Sequence, residues 1–331
     1  METDFDVVVI GGGPAGLYAG LILKKGLPTQ RVNEDLNIAI FDKGKVGGLA
    51  KFGFITFSQR WAFSGSKIVS TFHKECIQSG VNIFDNTNVE KIEHDKNQNI
   101  VRIYTKEKEY TAKYAIITSG IFPNPDALAH KNVLIALHTP NKMLNDVYRK
   151  KWKKVLLYGP DNNALEALKL ELSELDDEIY FDTLLQDVKD PKNLLLPGIS
   201  NKTFEDFDGV LIDYNAYKVE AGSLNLMEIP EEVHVEKGYI LTNHFGKTNC
   251  DLIYAAGNVA NVISGVLIAL SSALTVALSV GRLINPSVIS EPTGRFPWYP
   301  REISWEDSWL PYIEDLGELD SYSEQGKRVK N

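Results

Sequence analysis

The sequence predicts an α/β protein, because the order of a buried strand, a glycine-containing turn, a helix and another strand occurs twice along the chain. In the first unit, residues 6–10 (Asp-Val-Val-Val-Ile) form an apolar strand, residues 15–24 form a helix, and residues 36–41 form the next strand. This order is typical of the opening of a doubly wound parallel sheet. We therefore expect the N-terminal part of the chain to form a nucleotide-binding type of domain.

The second unit starts near the middle of the chain. Residues 153–158 form an apolar strand, Gly159 follows it, a helix covers about 163–175, and residues 178–181 form the next strand. A length of 331 residues is enough for two domains of ordinary size. Two such units in one chain therefore predict two nucleotide-type domains.

The first unit carries the stronger glycine motif. Residues 11–16 read Gly-Gly-Gly-Pro-Ala-Gly and fit G-x-G-x-x-G. The first Gly permits the tight turn, the second lets the backbone approach a pyrophosphate, and the third lets helix and strand pack closely. The helix N-terminus then offers amides and a positive dipole end to the phosphates. Asp42, 26 residues beyond Gly16, follows the next strand and would accept a hydrogen bond from a ribose. The alternative is a glycine turn without a ligand.

Composition narrows the classes of function. The formal charge of −9 argues against nucleic acid, whose phosphates require clustered Lys and Arg. The two cysteines, Cys76 and Cys250, form no CxxC, which excludes a disulfide scaffold and fits a cytoplasmic protein. We interpret Cys76 as a helix residue and Cys250 as a strand-edge residue. No cluster of side chains indicates a metal site, and no signal peptide is recognisable.

One apolar stretch is long enough to span a bilayer. Residues 259–280 contain no charge over 22 positions. They also contain Asn261 and several Ser, Thr and Gly residues, as a helix buried in a large α/β core does. We favour the core helix and keep a membrane span as the alternative.

Three segments resemble the thioredoxin reductase family of flavoproteins. Residues 238–258 end in Ala-Ala-Gly-Asn and resemble the family's C-terminal flavin motif, where a strand ends in Ala-Ala-Gly-Asp and the Asp holds the ribityl chain. Gly47-Gly48-Leu49 resembles the segment beside the flavin, and residues 115–120 resemble the family's Ala-Thr-Gly strand end. The resemblance covers about residues 4–285, is weaker in the middle domain, and implies that the dinucleotide is FAD.

The resemblance implies a set of FAD-binding residues drawn from the glycine turn, the strand ends and the C-terminal motif. They are Gly11, Gly13, Pro14, Ala15, Gly16, Phe41, Asp42, Lys43, Gly47, Gly48, Leu49, Val89, Thr118, Ser119, Gly120, Gly257, Asn258, Gly265 and Val266. Trp61 and Phe63 are further candidates for the wall of the flavin pocket. We expect no catalytic residue on the protein itself.

The family's fold implies two Rossmann-like dinucleotide-binding domains of three-layer ββα architecture, the second inserted in the first. Residues 1–122 and 236–331 would form a discontinuous FAD-binding domain, with an aromatic C-terminal tail from about residue 286. Residues 123–235 would form an NAD(P)-binding-like domain. The uncharged helix from about Val259 would face the flavin, and the resemblance also implies a homodimer.

The sequence departs from the family at the redox site. The family's Cys-x-x-Cys should fall near residues 136–145, which read Ala-Leu-His-Thr-Pro-Asn-Lys-Met-Leu-Asn. Dithiol exchange needs a thiolate and a resolving thiol close together. This chain should therefore not reduce thioredoxin by the family's usual route. His138 lies in this stretch, and a structural role is the simpler interpretation. Asn258 replaces the flavin-motif Asp but keeps an acceptor, so FAD binding should survive.

The second glycine turn departs further from the family's sequence pattern. The family's G-x-G-x-x-A is replaced by Gly-Pro-Asp-Asn-Asn-Ala at 159–164, where Asp161 adds bulk and negative charge beside a pyrophosphate. The His-Arg-Arg cluster that grips the 2′-phosphate of NADPH is also missing. We place Asp182 at the end of the next strand, where it would repel that phosphate. We expect NAD(P)H binding to be weak or absent, with NADH preferred over NADPH.

These features support three hypotheses for the reaction. The first is a thioredoxin reductase-like FAD oxidoreductase without a redox disulfide, passing electrons directly between FAD and a partner. The second is a flavoprotein reduced by a ferredoxin-type carrier, for which the basic run at 149–154 is a candidate docking site, although a solvated linker is the simpler interpretation. The third is a catalytically idle FAD-binding protein. The aromatic tail would cover the flavin or pack on the protein surface or a dimer partner.

Overall fold

A computed structural model gives the architecture of the chain. It describes residues 2–26, 35–56, 62–120, 132–136, 140–159, 161–185, 206–213, 227–261 and 265–285. Trp61, His138 and the aromatic tail from about residue 286 lie outside the described residues, so their predicted roles stay predictions.

The first domain is built on a seven-stranded sheet with the order β5-β2-β1-β8-β7-β6, in which β15 also pairs with β8. These strands are β1 (Phe5–Ile10), β2 (Ile38–Phe41), β5 (Asn82–Phe84), β6 (Val89–Asp95), β7 (Ile100–Thr105), β8 (Glu109–Ile117) and β15 (Ile253–Ala255). The strands β5, β2, β1, β8 and β15 run parallel, and β6, β7 and β8 form an antiparallel meander. The predicted first strand, helix and second strand are confirmed within two residues at each end.

Three helices cover one face of this sheet: α1 (Pro14–Lys25), α2 (Gly65–Gln78) and α5 (Val266–Ile284). Residues of α1 and α5 share one hydrophobic cluster with β1 and β2. The opposite face of the sheet has its own cluster, formed with the β6–β8 meander and the chain that returns after the second domain. The sheet thus lies between two apolar layers, which is the predicted three-layer arrangement.

Helix α5 is the long apolar segment singled out in the sequence. It begins at Val266, not at about Val259, and in the described part of the chain it alone is long and apolar enough to span a membrane. Its small residues Ala269, Ala273 and Ala277 are buried in the cluster shared with α1. This packing supports the interpretation as a core helix.

Residues 253–255 form β15 beside β8, so a segment from late in the chain completes the sheet that the N-terminus begins. This pairing is what a discontinuous first domain requires. The domain limits at 122, 123, 235 and 236 stay a prediction. Within residues 227–261, which return from the second domain, the strands are the short β13 (Val235–Glu236), β14 (Tyr239–Ile240) and β15.

The second domain has a four-stranded parallel sheet with the order β11-β10-β12-β9. Its elements are β9 (Val133–Ala136), α3 (Pro140–Lys150), β10 (Lys154–Gly159), α4 (Asn162–Leu175), β11 (Tyr180–Leu185) and β12 (Gly209–Asp213). The core includes residues of α3 and α4 packed on one face of the sheet. Two Rossmann-like units are therefore present, as predicted.

The hairpin of β3 (Phe54–Thr56) and β4 (Ala62–Ser64) connects the two domains. Phe54 packs against the core of the second domain, and the guanidinium carbon of Arg149 lies 5.3 Å from the centre of its ring. The hairpin directly follows a 3₁₀ turn at Gly48–Phe52. The 3₁₀ turn therefore contains the motif residues Gly48 and Leu49. It leads directly into the contact that Phe54 makes with the second domain.

Candidate functional site

An open cavity lies where the carboxyl ends of β1, β2 and β8 meet. Ligands of open α/β sheets bind at such strand ends. All of the predicted cofactor-binding residues except Gly16 and Gly47 line this cavity. The structure thus brings together residues from the glycine turn, both later motifs and the C-terminal helix. Their contact with a cofactor stays a prediction.

Gly11 and Gly16 shape the turn by close packing. Gly11 has φ +105°, and a Cβ there would lie 2.5 Å from the Thr118 carbonyl oxygen. A Cβ on Gly16 would lie 1.9 Å from the Gly11 carbonyl oxygen. Gly16 therefore packs helix α1 against the turn. It does not line the cavity, because protein atoms occupy the place where a side chain would lie.

Gly13 has a different role. It is the N-cap residue of α1, and no described atom lies within 4 Å of the Cβ position at this residue. No described side chain caps the helix, whose first residue is Pro14. The amides of the first turn are thus directed at open cavity space. A helix N-terminus in this state favours anionic groups such as phosphate.

Two further backbones support the turn. Gly47 donates a 2.7 Å hydrogen bond from its amide to the Gly12 carbonyl oxygen, so it braces the turn from outside the cavity. Gly48 has φ +53°, and a Cβ there would lie 3.2 Å from the Gly13 α-carbon. Of this predicted pair, only Gly48 lines the cavity. Gly47 lies behind the turn, and its predicted role in cofactor binding stays a prediction.

Asp42 lines one end of the cavity and also holds the glycine turn. Its Oδ2 accepts a 2.7 Å hydrogen bond from the Gly12 amide, and its Oδ1 accepts a 2.9 Å bond from the Gly44 amide. A carboxylate oxygen has two acceptor sites. The position after the second strand predicts that a ribose hydroxyl also donates to this carboxylate.

Thr118 and Ser119 end strand β8 at the cavity. The Thr118 hydroxyl donates to the Gly11 carbonyl oxygen at 2.7 Å, which ties the strand end to the turn. The Ser119 Oγ atom is buried and has no hydrogen-bond partner among the described residues. A buried hydroxyl without a partner costs free energy. Because Ser119 lines the cavity, a ligand atom is the natural partner.

The C-terminal motif and the start of α5 contribute Gly257, Asn258, Gly265, Val266 and Ala269 to the cavity lining. The Gly257 amide donates to Ser272 Oγ at 2.9 Å, and the Gly265 amide donates to Asn258 Oδ1 at 3.3 Å. Val266 is the first residue of α5, and no described side chain caps this helix. The C-terminal motif is therefore fixed to the N-terminus of α5.

Sequence analysis missed part of the lining: Ile10, Ala50, Thr87, Asn88, Met227 and Ala269. Ile10 and Ala50 adjoin predicted residues and could have been found by extending the motifs. Met227 lies beyond the second domain, and no local pattern marks it. Its segment is held on β6 by backbone hydrogen bonds of Glu228 to Glu90 and Ile92, each 2.8 Å long.

The second glycine turn has a different helix N-terminus. Asp161 is the N-cap of α4, and its Oδ1 accepts hydrogen bonds from the amides of Asn163 at 2.9 Å and Ala164 at 3.2 Å. These amides belong to the first turn of the helix, the group that would otherwise hold a phosphate. The carboxylate therefore occupies the anion position from within the chain.

Asp182 is not at the end of its strand. Strand β11 continues to Leu185, and Asp182 pairs in register with Leu156, whereas Gly159 pairs with Leu185. Its Oδ1 lies 3.3 Å from Lys169 Nζ. The placement of Asp182 at the strand end is thus wrong, because apolar alternation in β11 is weak and gave no signal for its length. Repulsion of a 2′-phosphate by Asp182 stays a prediction.

The cysteines occupy buried positions in separate parts of the first domain. Cys76 lies in α2 as predicted, donates to the Leu17 carbonyl oxygen at 3.2 Å, and burial raises the pKa of its thiol to about 12. Cys250 lies in the turn before β15 and not in the strand, 3.3 Å from His94 Nδ1, and burial raises its pKa. Neither thiol has the exposed, electropositive surroundings of a redox cysteine. No group of three metal-ligating side chains occurs among the described residues.

These observations fit an extended dinucleotide. The Gly13 position leaves a space beside uncapped amides, Ser119 offers an unpaired hydroxyl, and Asp42 offers acceptor oxygens at one end. The C-terminal motif adds a second uncapped helix that begins at Val266. Such a set of donors and acceptors fits the phosphates and ribose of a dinucleotide.

Comparison with known families matches the first domain. Residues 5–125 match the family described as pyridine nucleotide-disulphide oxidoreductase. The chain is 22% identical to the 34.2 kDa protein in the rubredoxin operon of Clostridium pasteurianum, covering 86% of this chain and 98% of that protein. It is 23% identical to the thioredoxin reductase of Borreliella burgdorferi, over 78% and 86% of the two chains. A ferredoxin–NADP reductase of Lysinibacillus sphaericus is 27% identical over about half of each chain.

Solved structures share the fold along most of the chain. Thioredoxin reductase of T. acidophilum superimposes with a TM-score of 0.51 at 20% identity, covering 86% of this chain and 99% of that one. The Lactococcus lactis enzyme gives 0.51 at 16% identity, over 85% and 99%. The expected resemblance is confirmed: the chain has the two-domain fold of thioredoxin reductase-like FAD/NAD(P) oxidoreductases, and its residues 5–125 match the pyridine nucleotide-disulphide oxidoreductase family.

Proposed function

We propose that the protein is an FAD-binding oxidoreductase that works without a redox-active disulfide. The observation that carries this proposal is the cavity itself, in which the uncapped N-termini of α1 and α5 meet the unpaired Ser119 hydroxyl. The predicted FAD residues line it with two exceptions. The flavin supplies electron transfer when bound, while the protein supplies binding and orientation.

The positions of both cysteines support the proposal that the protein uses no dithiol route. Cys76 and Cys250 are buried on different elements, and burial raises both pKa values. Thiol–disulfide exchange needs an accessible thiolate. Electrons must then pass directly between the flavin and a partner molecule.

We further propose that the second domain binds NAD(P)H weakly or not at all. The support is the Asp161 carboxylate, which accepts the two α4 amides that a pyrophosphate would need. A bound phosphate would have to displace this cap and lie beside its negative charge. The preference for NADH over NADPH keeps only the missing His-Arg-Arg cluster as support, since Asp182 lies within the strand.

A ferredoxin-type carrier is the second candidate donor. The capped second turn argues against a nicotinamide donor, and one relative is named as a ferredoxin–NADP reductase. The basic run gives limited support, because Lys153 pairs with Glu178 at 3.2 Å and Arg149 pairs with Asp146 at 2.7 Å. The third candidate is a catalytically idle FAD-binding protein. It would bind FAD in the same cavity but would have no electron donor.

An anaerobic titration separates these candidates. The FAD-loaded protein is mixed with NADPH, then NADH, then reduced ferredoxin, while the absorbance of oxidised flavin is followed. We expect slow or no bleaching by either nicotinamide. Rapid bleaching by NADPH would overturn the proposal for the second domain. Bleaching by ferredoxin alone would favour the second candidate, and bleaching by none would favour the third. Protein that binds no FAD would overturn the function altogether. The homodimer and the cytoplasmic location stay predictions.

A further inference from the structure

We infer that Arg149 is a positioning residue for the proposed FAD site, although it lies in the second domain. It acts through Phe54, whose side chain it contacts and which directly follows the 3₁₀ turn at Gly48–Phe52. We call this turn the cavity turn. The inference rests on the proposed function and goes beyond it, because it gives the second domain a role that needs no nucleotide: the domain holds part of the FAD site in its binding conformation.

The cavity turn contributes three residues to the cavity lining: Gly48, Leu49 and Ala50. One backbone hydrogen bond holds the chain on each side of it. Before the turn, the Gly47 amide donates to the Gly12 carbonyl oxygen at 2.7 Å, and after it, the Gly65 amide donates to the Gly53 carbonyl oxygen at 2.9 Å. The hydrogen bonds inside a 3₁₀ turn have poorer geometry than those of an α-helix. The position of the turn therefore also depends on the segment that leaves it.

That segment is fixed by the second domain. The Phe54 side chain packs against the core cluster of the second domain, and it is the one side chain from the first domain among the described residues of that cluster. The α-carbons of β9 and of the cavity turn approach within 8 Å, so the backbone of the second domain also borders the turn. A displacement of Phe54 from this cluster would therefore move the cavity turn.

Arg149 retains Phe54 from the side of the second domain. Its guanidinium carbon lies 5.3 Å from the centre of the Phe54 ring, and its Nη1 donates to Asp146 Oδ1 at 2.7 Å, one turn earlier in α3. Asp146 is buried, with 8% of its surface exposed. A cation over an aromatic face is attracted by the electrons of the ring, and the buried carboxylate holds the guanidinium in place. The three side chains therefore form one interdomain contact.

This contact links two equilibria: the docking of Phe54 on the second domain and the binding of a ligand in the cavity. A turn that is already held in its binding conformation loses less freedom when the ligand binds, so docking raises affinity. The linkage is reciprocal, and FAD should strengthen the docking of Phe54 by the same factor. The two states are Phe54 packed on α3 and Phe54 displaced from it.

The matched control is Leu168, which lies on α4 within the second domain. It is the other partly buried apolar side chain that packs against the same core cluster as Phe54. Leu168→Ala therefore removes packing from that cluster without removing the side chain that leads to the cavity turn. It separates a loss of the interdomain contact from a general loss of stability in the second domain.

The first measurement is the affinity of the full-length apo-protein for FAD, followed by quenching of flavin fluorescence. Phe54→Ala should weaken FAD binding about fivefold to tenfold, the usual size of a coupling between sites. Arg149→Ala should weaken it about threefold, as the loss of one partly exposed cation–π contact predicts, and Arg149→Lys should recover part of this loss. The double variant should bind FAD as Phe54→Ala does, because Arg149 acts through Phe54. Leu168→Ala should stay within about twofold of the wild type.

The second measurement is amide hydrogen exchange with and without FAD, which a merely structural role of Phe54 would not change in the same way. In the wild type, FAD should slow exchange in α3 as well as in α1. In Phe54→Ala, FAD should still slow exchange in α1 but no longer in α3, because the link between the domains is lost. A purely structural role would speed exchange in α3 equally with and without FAD.

The outcomes distinguish the inference from the function. Wild-type affinity for FAD in both Phe54→Ala and Arg149→Ala would overturn the inference and leave the FAD site intact. An equal loss in Leu168→Ala would also overturn it, because instability of the second domain would then be the cause. Additive losses in the double variant would show that Arg149 does not act through Phe54. If Phe54→Ala does not fold, the Arg149 variants and the exchange of α3 in the wild type still decide. A wild-type protein that does not bind FAD would overturn both proposals.

Discussion

The two glycine turns of this chain start from the same local plan and end with opposite helix N-termini. In the first, Gly13 is the N-cap of α1, and the amides of the helix face the cavity. In the second, Asp161 occupies the corresponding position and accepts the amides of Asn163 and Ala164. One turn is open to an anionic ligand, whereas the other already contains an anion. This difference supports the proposal that the second strand–turn–helix unit is kept as a fold without a binding role.

The comparison also explains why the loss need not destabilise the second domain. Asp is among the preferred N-cap residues, and Gly is slightly less favourable there. An ancestral Gly-to-Asp change at such a position would stabilise the helix as it blocks the phosphate. At this one residue, the change that stabilises helix α4 thus also weakens phosphate binding.

The largest expected effect comes from transferring the second turn's residue to the first. Gly13→Asp should cap α1 and fill the open space at its N-terminus, so FAD should lose the hydrogen bonds of its phosphates. Two hydrogen bonds to a charged group, at about 1.5 kcal/mol each, correspond to a loss of affinity of roughly a hundredfold or more. FAD affinity is measured by quenching of flavin fluorescence. Unchanged affinity would contradict the placement of the pyrophosphate at this turn.

The next effect separates the two roles of glycine within the first turn. Gly11→Ala puts a Cβ 2.5 Å from the Thr118 carbonyl oxygen at φ +105°, so we expect a loss of about 2 kcal/mol or more in the free energy of unfolding. Gly13→Ala meets no described atom within 4 Å and should leave stability nearly unchanged while weakening FAD. Urea denaturation of both apo-variants measures this difference. Equal losses of stability would refute the assignment.

Asp161 gives a smaller effect in the second turn. Asp161→Ala removes the cap of α4 and should cost about 1 kcal/mol of stability, whereas Asp161→Gly should cost only a few tenths. Asp161→Gly also exposes the α4 amides and should raise the affinity for NADH by about tenfold, the value of one charge-assisted hydrogen bond. Thermal denaturation and calorimetric titration measure the two effects. If Asp161→Ala were as stable as the wild type, the cap would have no energetic role.

The smallest effect is a pH dependence in α3 of the second domain. Burial lowers the pKa of Lys142 to about 8 from 10.5, so its protonated form is disfavoured in the folded state. The cost is complete below pH 8 and disappears as the pH rises from about 8 to 10.5. Lys142→Met should therefore stabilise the protein at pH 7 by up to about 1 kcal/mol, since the side chain is partly solvated. The gain should shrink towards pH 10.5, and a gain independent of pH would contradict the assignment.

The sequence predicted the part of the site that depends on local backbone geometry. Gly11, Gly13 and Asn258 lie in motifs whose spacing is set by one turn or one helix start, and the structure places them at the cavity wall or in the turn beneath it. The predicted extent of β11, and with it the position of Asp182 at the strand end, was wrong, because strand length depends on pairing with β10 and not on composition.

Other features depend on contacts between distant segments. Met227 reaches the cavity because its segment follows β6, and Thr118 holds the glycine turn across more than 100 residues of sequence. Asp161 was expected to interfere with phosphate by bulk and charge. Its capping hydrogen bonds give the mechanism, and the N-cap preference of Asp could have indicated it in advance.

The central claim is that only the first of the two turns binds a dinucleotide. Calorimetric titration of the apo-protein with FAD, followed by titration of the FAD-loaded protein with NADPH, tests it most directly. The account predicts saturable binding of one FAD per chain and no saturable NADPH binding at comparable concentrations. Tight binding of NADPH, or failure to bind FAD, would contradict it.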